Sequence, residues 1–213
     1  MQNYAILIDG GFAKRKLGNG KYPATAEKFK DLVGSLQKIK PLSEMQLHRI
    51  YYYDSNPLES SHEKPLEGGV SEFGKSPIVG NNKLLFEQLA KQPFTALRLG
   101  ELSFNGWKLK NKRLEKAKGG TLEITHDDLQ PQITQKGVDM RIGMDIAALT
   151  LKKQVQVIVL ASGDSDFIPA MKFARREGVN VFLATLGHRV KPIMLEHSDL
   201  SLELALPMTE SIA

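Results

Sequence analysis

Two apolar runs constrain this fold more than any other feature, Tyr4-Ala5-Ile6-Leu7-Ile8 and Val155-Gln156-Val157-Ile158-Val159-Leu160-Ala161, because both stop abruptly at acidic, glycine-containing turns. Each is too short for a helix and too evenly apolar for a strand with one wet face, so each reads as a central strand buried on both sides. The first ends at Asp9-Gly10-Gly11 and the second at Ser162-Gly163-Asp164-Ser165-Asp166-Phe167. In an open α/β sheet, ligands bind beyond the carboxyl ends of the strands, near the point where strand order reverses. Two strand ends of this kind deliver Asp9 and the pair Asp164/Asp166 to one edge.

A third acid, Asp139, opens a helix after Lys136-Gly137-Val138, with Ile142, Ile146, Ala147, Leu149 and Thr150 as its sheet-facing residues. Carboxylates gathered without a cation would repel and take up protons. Oxygen-rich, cysteine-free and histidine-poor surroundings suit a hard cation such as Mg²⁺ or Mn²⁺. Aspartate is also a common helix N-cap, and capping alone accounts for any single one of these acids. It is the combination that points to a metal site. Ser165 or Asp166 is expected to cap a helix over residues 167–177, with Pro169 in its first turn, which leaves Asp164 without a structural task. Asp145, six residues after Asp139, lies about 120° around an ideal helix, so it reads as a partner for a second shell or a basic neighbour.

The 213 residues fit one domain. With no cysteine, disulfides and thiolate metal sites are excluded and a cytoplasmic location is expected. Met1-Gln2-Asn3 has no basic flank or cleavage signal, and no apolar run reaches transmembrane length. The formal charge of +5 around an acidic centre is what holding a polyanion would require, although a modest lysine excess also serves solubility.

Between the acidic motifs, residues 25–38 carry a helical stripe of Ala26, Phe29, Leu32, Val33 and Leu36, ended by Pro41, and residues 45–53 read as a strand leading to Asp54. Residues 55–79 read as a long loop, 81–91 as a helix and 94–104 as a strand. Trp107, Lys108, Lys110, Lys112, Arg113, Lys116 and Lys118 form a basic segment. It suits either a grip on phosphates with one stacked base or an exposed hairpin arm with solvated lysines. Residues 121–124 read as the return strand of that arm and 127–135 as a loop. Gly178 stops the 167–177 helix, residues 179–185 form a strand, His188, Arg189 and Lys191 a basic loop, and 200–206 a last short element. The alternation predicts a three-layer α/β/α sandwich with a mostly parallel sheet, a single domain over 1–213 with a less regular insertion at about 55–135.

The motifs Ile8-Asp9-Gly10, Lys136-Gly137-Val138-Asp139 with Asp145, and Ser162-Gly163-Asp164-Ser165-Asp166-Phe167 with Pro169 resemble those of the NYN domain family, also called LabA-like or DUF88, a branch of the PIN-like nucleases. The resemblance spans nearly the whole chain, to the segment 195–204 around Asp199, and leaves 55–135 unmatched. It implies a PIN-like fold and a Mg²⁺- or Mn²⁺-dependent ribonuclease, with Asp9, Asp139, Asp164 and Asp166 as the metal-binding and catalytic set. Many relatives carry Asn three residues after the first Asp, where this chain has Phe12.

The expected chemistry is phosphodiester hydrolysis, with the cation polarising a phosphate oxygen and lowering the pKa of an attacking water. Asp9 and Asp164 would be direct ligands, and Asp139 and Asp166 would hold the ion's waters or a second ion. Lys14, Lys136 and Arg141 neighbour the acids in sequence and are the candidates for phosphate contact. The alternative is an RNA-binding regulatory module of the same fold that cleaves weakly or not at all, which Phe12 favours. A homodimer is compatible with so shallow a site. A haloacid-dehalogenase-type phosphatase needs a second Asp two positions after the first, where Gly11 stands. A dinucleotide-binding fold needs a spaced glycine triad that Asp9-Gly10-Gly11-Phe12 does not supply.

Overall fold

The computed structural model of the chain describes residues 1–115, 119 and 121–204. Its elements are β1 (Asn3–Asp9), α1 (Gly10–Leu17), α2 (Ala26–Gln37), β2 (Gln46–Ser55), β3 (Ser61–Glu63), β4 (Val70–Glu72), α3 (Pro77–Ala90) and β5 (Thr95–Leu109). They continue with α4 (Asn111–Glu115), β6 (Leu129–Lys136), α5 (Val138–Leu151), β7 (Val157–Ala161), α6 (Ile168–Arg176), β8 (Asn180–Ala184), α7 (Pro192–Glu196) and β9 (Leu200–Leu202). Two compact units emerge. The first comprises Met1–Asp54, Leu84–Leu99 and the chain from Gly137 onward, and the second Ser55–Lys83 and Gly100–Lys136.

In the first unit the strands follow the order β5-β2-β1-β7-β8-β9, and β2, β1, β7, β8 and β9 are parallel throughout. Successive side chains of a strand point to opposite faces, and β1 divides accordingly. Tyr4, Ile6 and Ile8 join one core with Phe29, Leu32 and Leu36 of α2 and Leu85 and Leu89 of α3. Ala5 and Leu7 join the other with Ile142, Ile146 and Leu149 of α5 and Met171 and Ala174 of α6. Helices on both faces of a mostly parallel sheet make the α/β sandwich that the alternation of elements predicts. A buried leucine of this kind, such as Leu7, which is fully inaccessible, stabilises by about 2–5 kcal/mol against truncation to Ala.

The strand order also locates the site. From β1 the chain winds outward through β2 to β5, then returns to β7 on β1's other side and winds outward again through β8 to β9. The reversal falls between β1 and β7, whose ends meet in register at Ile8 and Ala161. Asp9, the last residue of β1, and Ser162, just past β7, lie at the carboxyl edge at the switch point.

The second unit corrects the sequence reading in two places. Residues 55–79 are not one irregular loop: β3 and β4 pair antiparallel, Ser61 with Glu72 and Glu63 with Val70. Strands of three residues leave no readable periodicity. The return strand of the basic arm is β6, which pairs with β5 from Glu101 opposite Lys136 to Leu109 opposite Leu129, so the strand expected at 121–124 and the loop expected at 127–135 are both overturned. β6 is largely exposed and carries Pro131, so it lacks the apolar alternation that marks a half-buried strand, and proline is tolerated at a sheet edge. Between the pieces His62, Phe73, Phe104 and Trp107 pack ring to ring, with His62 and Phe104 stacked at 3.9 Å between centroids. Lys116 and Lys118 of the basic segment, and residues 205 and 206 of the last element, lie outside the described residues; β9 occupies Leu200–Leu202.

Candidate functional site

Asp9 does two jobs at the end of β1. As N-cap of α1, its Oδ1 accepts the Phe12 N–H at 3.0 Å, and its Oδ2 accepts the Ser162 hydroxyl at 3.0 Å. The same Ser162 Oγ accepts the Asp164 N–H at 3.1 Å, and Ser162 is wholly buried. One hydroxyl thus ties the two strand ends together. Gly10 permits the turn by close packing, since a Cβ there would stand 2.5 Å from the Tyr53 carbonyl oxygen and 2.7 Å from the Tyr52 ring.

Asp164 has a structural task after all. It caps a 3₁₀ turn at Ser165–Phe167, its Oδ1 accepting the Asp166 N–H at 2.9 Å. The expected cap by Ser165 or Asp166 is therefore replaced by Asp164, and α6 begins without a side-chain cap. Asp166 is exposed and Asp164 half-buried. Asp139 lies in the first turn of α5, exposed, after Gly137 in the left-handed conformation with φ 78°.

The acids sense one another. Burial pushes the Asp9 carboxyl above the usual carboxylate range, against the opposing pull of the Phe12 N–H, the Ser162 hydroxyl and the Arg15 charge, and the charge of Asp139 pushes it further up. Asp139 is likewise raised, by desolvation first and then by the charges of Asp164 and Asp166. The structure thus brings all four predicted acids into electrostatic range, from β1, α5 and the turn after β7. Among the described residues, no three or more acidic, histidine or cysteine side chains are set to hold a metal ion as they stand.

The basic candidates fare differently. The Lys14 amine is 2.7 Å from Asp54 Oδ2, and that buried carboxylate also accepts the Tyr52 hydroxyl at 2.9 Å. Arg141 is exposed one turn into α5, and Lys136 is an exposed residue that closes β6 in the second unit. Asp145 accepts the Tyr53 hydroxyl at 2.8 Å and the Arg98 Nε–H at 3.0 Å, so its partner is a basic neighbour. Asp199 accepts the Val181 N–H and pairs with Arg175. In the basic arm, Lys110 reaches the Asp127 carbonyl and Trp107 donates its indole N–H to the Glu63 carbonyl at 2.7 Å.

Four side chains take roles that the sequence did not assign to them: Ser162 as the bridge, Arg15, and Phe12 with His188 as neighbours in the cleft wall. A cleft of about 290 Å³ is lined by Asp9, Phe12, Arg15, Gly163, Asp164, Ser165 and His188. Phe12 meets His188 edge to face at 5.7 Å. Both crowd Gly163, where a Cβ would stand 2.6 Å from the imidazole and 2.9 Å from the phenyl ring. Contacts between residues so far apart in sequence leave no local signal.

A doubly wound α/β sheet with acids from three segments at its switch point defines the class to which the molecule belongs. The family model of the NYN domain matches residues 5–196, and the chain belongs to that family, part of the PIN-like nuclease superfamily. No curated protein matches the chain. A crystal structure of a protein of unknown function from Vibrio parahaemolyticus is similar at 14% identity and a TM-score of 0.51, over 94% of this chain and 91% of that one. That likeness concerns the fold alone. No helix among the described residues is long and apolar enough to cross a membrane.

Proposed function

We propose that this chain is a Mg²⁺- or Mn²⁺-dependent ribonuclease that hydrolyses phosphodiester bonds at Asp9, Asp139, Asp164 and Asp166. The observation that carries the reading is the gathering of acids from three separate segments at the carboxyl edge, where burial first and then the charges of neighbouring acids raise Asp9 and Asp139, a repulsion that a divalent cation would relieve. The donors fit such an ion. They are all oxygens, and Mg²⁺ is commonly held by one or two carboxylates while keeping several of its waters, so a closed cage of protein ligands is not required. Asp9 and Asp164, fixed by their caps and by Ser162, would hold the cation. When bound, the cation supplies Lewis-acid polarisation of a phosphoryl oxygen and eases deprotonation of water.

The chain's own residues supply the rest. Ser162 and the Phe12 N–H fix the Asp9 carboxylate, so it needs little reorganisation on binding substrate. Asp139, exposed in the first turn of α5, would hold the ion's waters and orient the attacking one. Asp166, also exposed, adds negative charge where a second cation or its waters would sit. The test is cleavage of labelled single-stranded RNA and DNA by wild type and Asp164→Asn with Mg²⁺, Mn²⁺ or EDTA. RNA cleavage by wild type, lost in EDTA and in the variant, supports the reading; full metal-dependent cleavage by Asp164→Asn overturns it.

Phe12 favours a second reading, an RNA-binding regulatory module. Three residues after Asp9, where many relatives carry Asn, it places a buried ring that walls the cleft. Salt-sensitive RNA binding without turnover in any divalent metal is the result that selects it.

A further inference from the structure

Three basic side chains gather at the cleft that Asp9 and Asp164 line, two in its lining and one on Ser165. Arg15 is exposed on α1, and its charge acts on Asp9 across space. Gly11 lies between them, and a Cβ there would make only ordinary contacts, 3.4 Å from Asp9 Oδ1 and 3.9 Å from Arg15 Nη1. His188 is an exposed ring in the same lining, held over Gly163 by Phe12. Lys191, exposed at the N-terminal end of α7, donates from Nζ to Ser165 Oγ at 2.9 Å, and Ser165 lines the same cleft.

We propose that Arg15, His188 and Lys191 form a phosphate subsite beside the acids, which takes a nucleic-acid phosphate adjacent to the one being cut. The inference rests on the nuclease reading for its substrate class and adds where the strand lies. A guanidinium offers a planar fork that matches two phosphate oxygens, an ammonium a point charge, and an imidazole N–H a further donor. The acids cannot hold an uncompensated phosphate themselves, because like charges at close range repel. Phe12 then has a role that an Asn could not fill, as the apolar support that seats the His188 ring in the lining.

The experiment is equilibrium binding of a fluorescent single-stranded RNA to wild type, Arg15→Gln, Lys191→Gln and the double variant, in EDTA so that nothing is cut, over a series of salt concentrations. Each lost phosphate contact should weaken binding by roughly tenfold and lower the slope of log affinity against log salt by about 0.7. Arg15→Lys should recover the slope while recovering only part of the affinity, since the charge returns without the fork. Strands bearing a 5′-phosphate, a 5′-hydroxyl or no end at all, as a circle, distinguish a terminal phosphate from an internal one. A double variant with unchanged affinity and slope overturns the subsite. That failure is separable from failure of the nuclease reading, which is judged by Asp164→Asn in the cleavage assay. Wild type that binds no RNA in EDTA also overturns the subsite, while the nuclease reading stands or falls with the metal-dependent cleavage assay.

Discussion

Removing one buried hydroxyl should loosen both strand ends and make the loss depend on pH. Ser162→Ala deletes the donor to Asp9 Oδ2 and the acceptor of the Asp164 N–H at a fully buried position. A hydrogen bond to a charged group contributes about 1.5–3 kcal/mol and a buried N–H left unsatisfied costs about 1–3 kcal/mol. The two overlap in one small site, so the variant should lose about 2–4 kcal/mol at pH 7.5. Asp9 already binds its proton more tightly in the native state than in the unfolded chain, because burial raises it. Native stability therefore falls as pH rises from the unfolded value of about 3.9 through the higher native value. Losing the Ser162 donor raises the native value further, widening that window and deepening the loss above it. Below it Asp9 is protonated in both states, and the deficit should shrink toward the amide's share, about 1–2 kcal/mol. Urea unfolding of wild type and variant between pH 4 and 7.5 measures this. A deficit under about 0.5 kcal/mol at pH 7.5, or one that grows on acidification, refutes the account of Ser162 as the bridge.

Gly10→Ala places a Cβ 2.5 Å from a backbone oxygen that cannot swing away, and should cost about 3 kcal/mol or more in chemical denaturation. Asp145→Asn keeps an acceptor for Tyr53 and loses only the charge of a pair whose side chains are 37% and 22% exposed; stability should drop by no more than about 1 kcal/mol, with cleavage retained. Trp107→Ala removes the ring that stacks on Phe73 and bonds the Glu63 carbonyl. Hydrogen exchange should rise for β3, β4 and the second half of β5, while amides of β1 and β7 stay protected.

What the sequence reveals follows from the range of each signal. β1, β7, α2 and α6 declare themselves because burial on both faces of a strand, or one face of a helix, writes a local pattern, and the acids that end β1 and β7 are legible for the same reason. Asp164's capping role is not, because the 3₁₀ turn that it caps is only three residues long. Lys14 and Arg15 are neighbours in sequence, yet α1 sends one to Asp54 and leaves the other at the cleft; only the packing of α1 on the sheet decides between them. β6 is invisible because neither face is deeply buried, so no alternation is required of it. Thr121 and Ile124 look like a strand by composition, but propensity yields where no neighbour supplies a ladder.

The central claim is that Asp9, Asp139 and Asp164 serve one cation. The most direct measurement is the rise in unfolding midpoint of wild type on adding Mn²⁺, set against Asp9→Asn, Asp139→Asn and Asp164→Asn. A ligand at a hundred times its Kd stabilises by about 2.7 kcal/mol, so wild type should shift clearly and each single variant should lose most of that shift. Single variants that all keep the full shift, or a wild type that shows none, would contradict the claim.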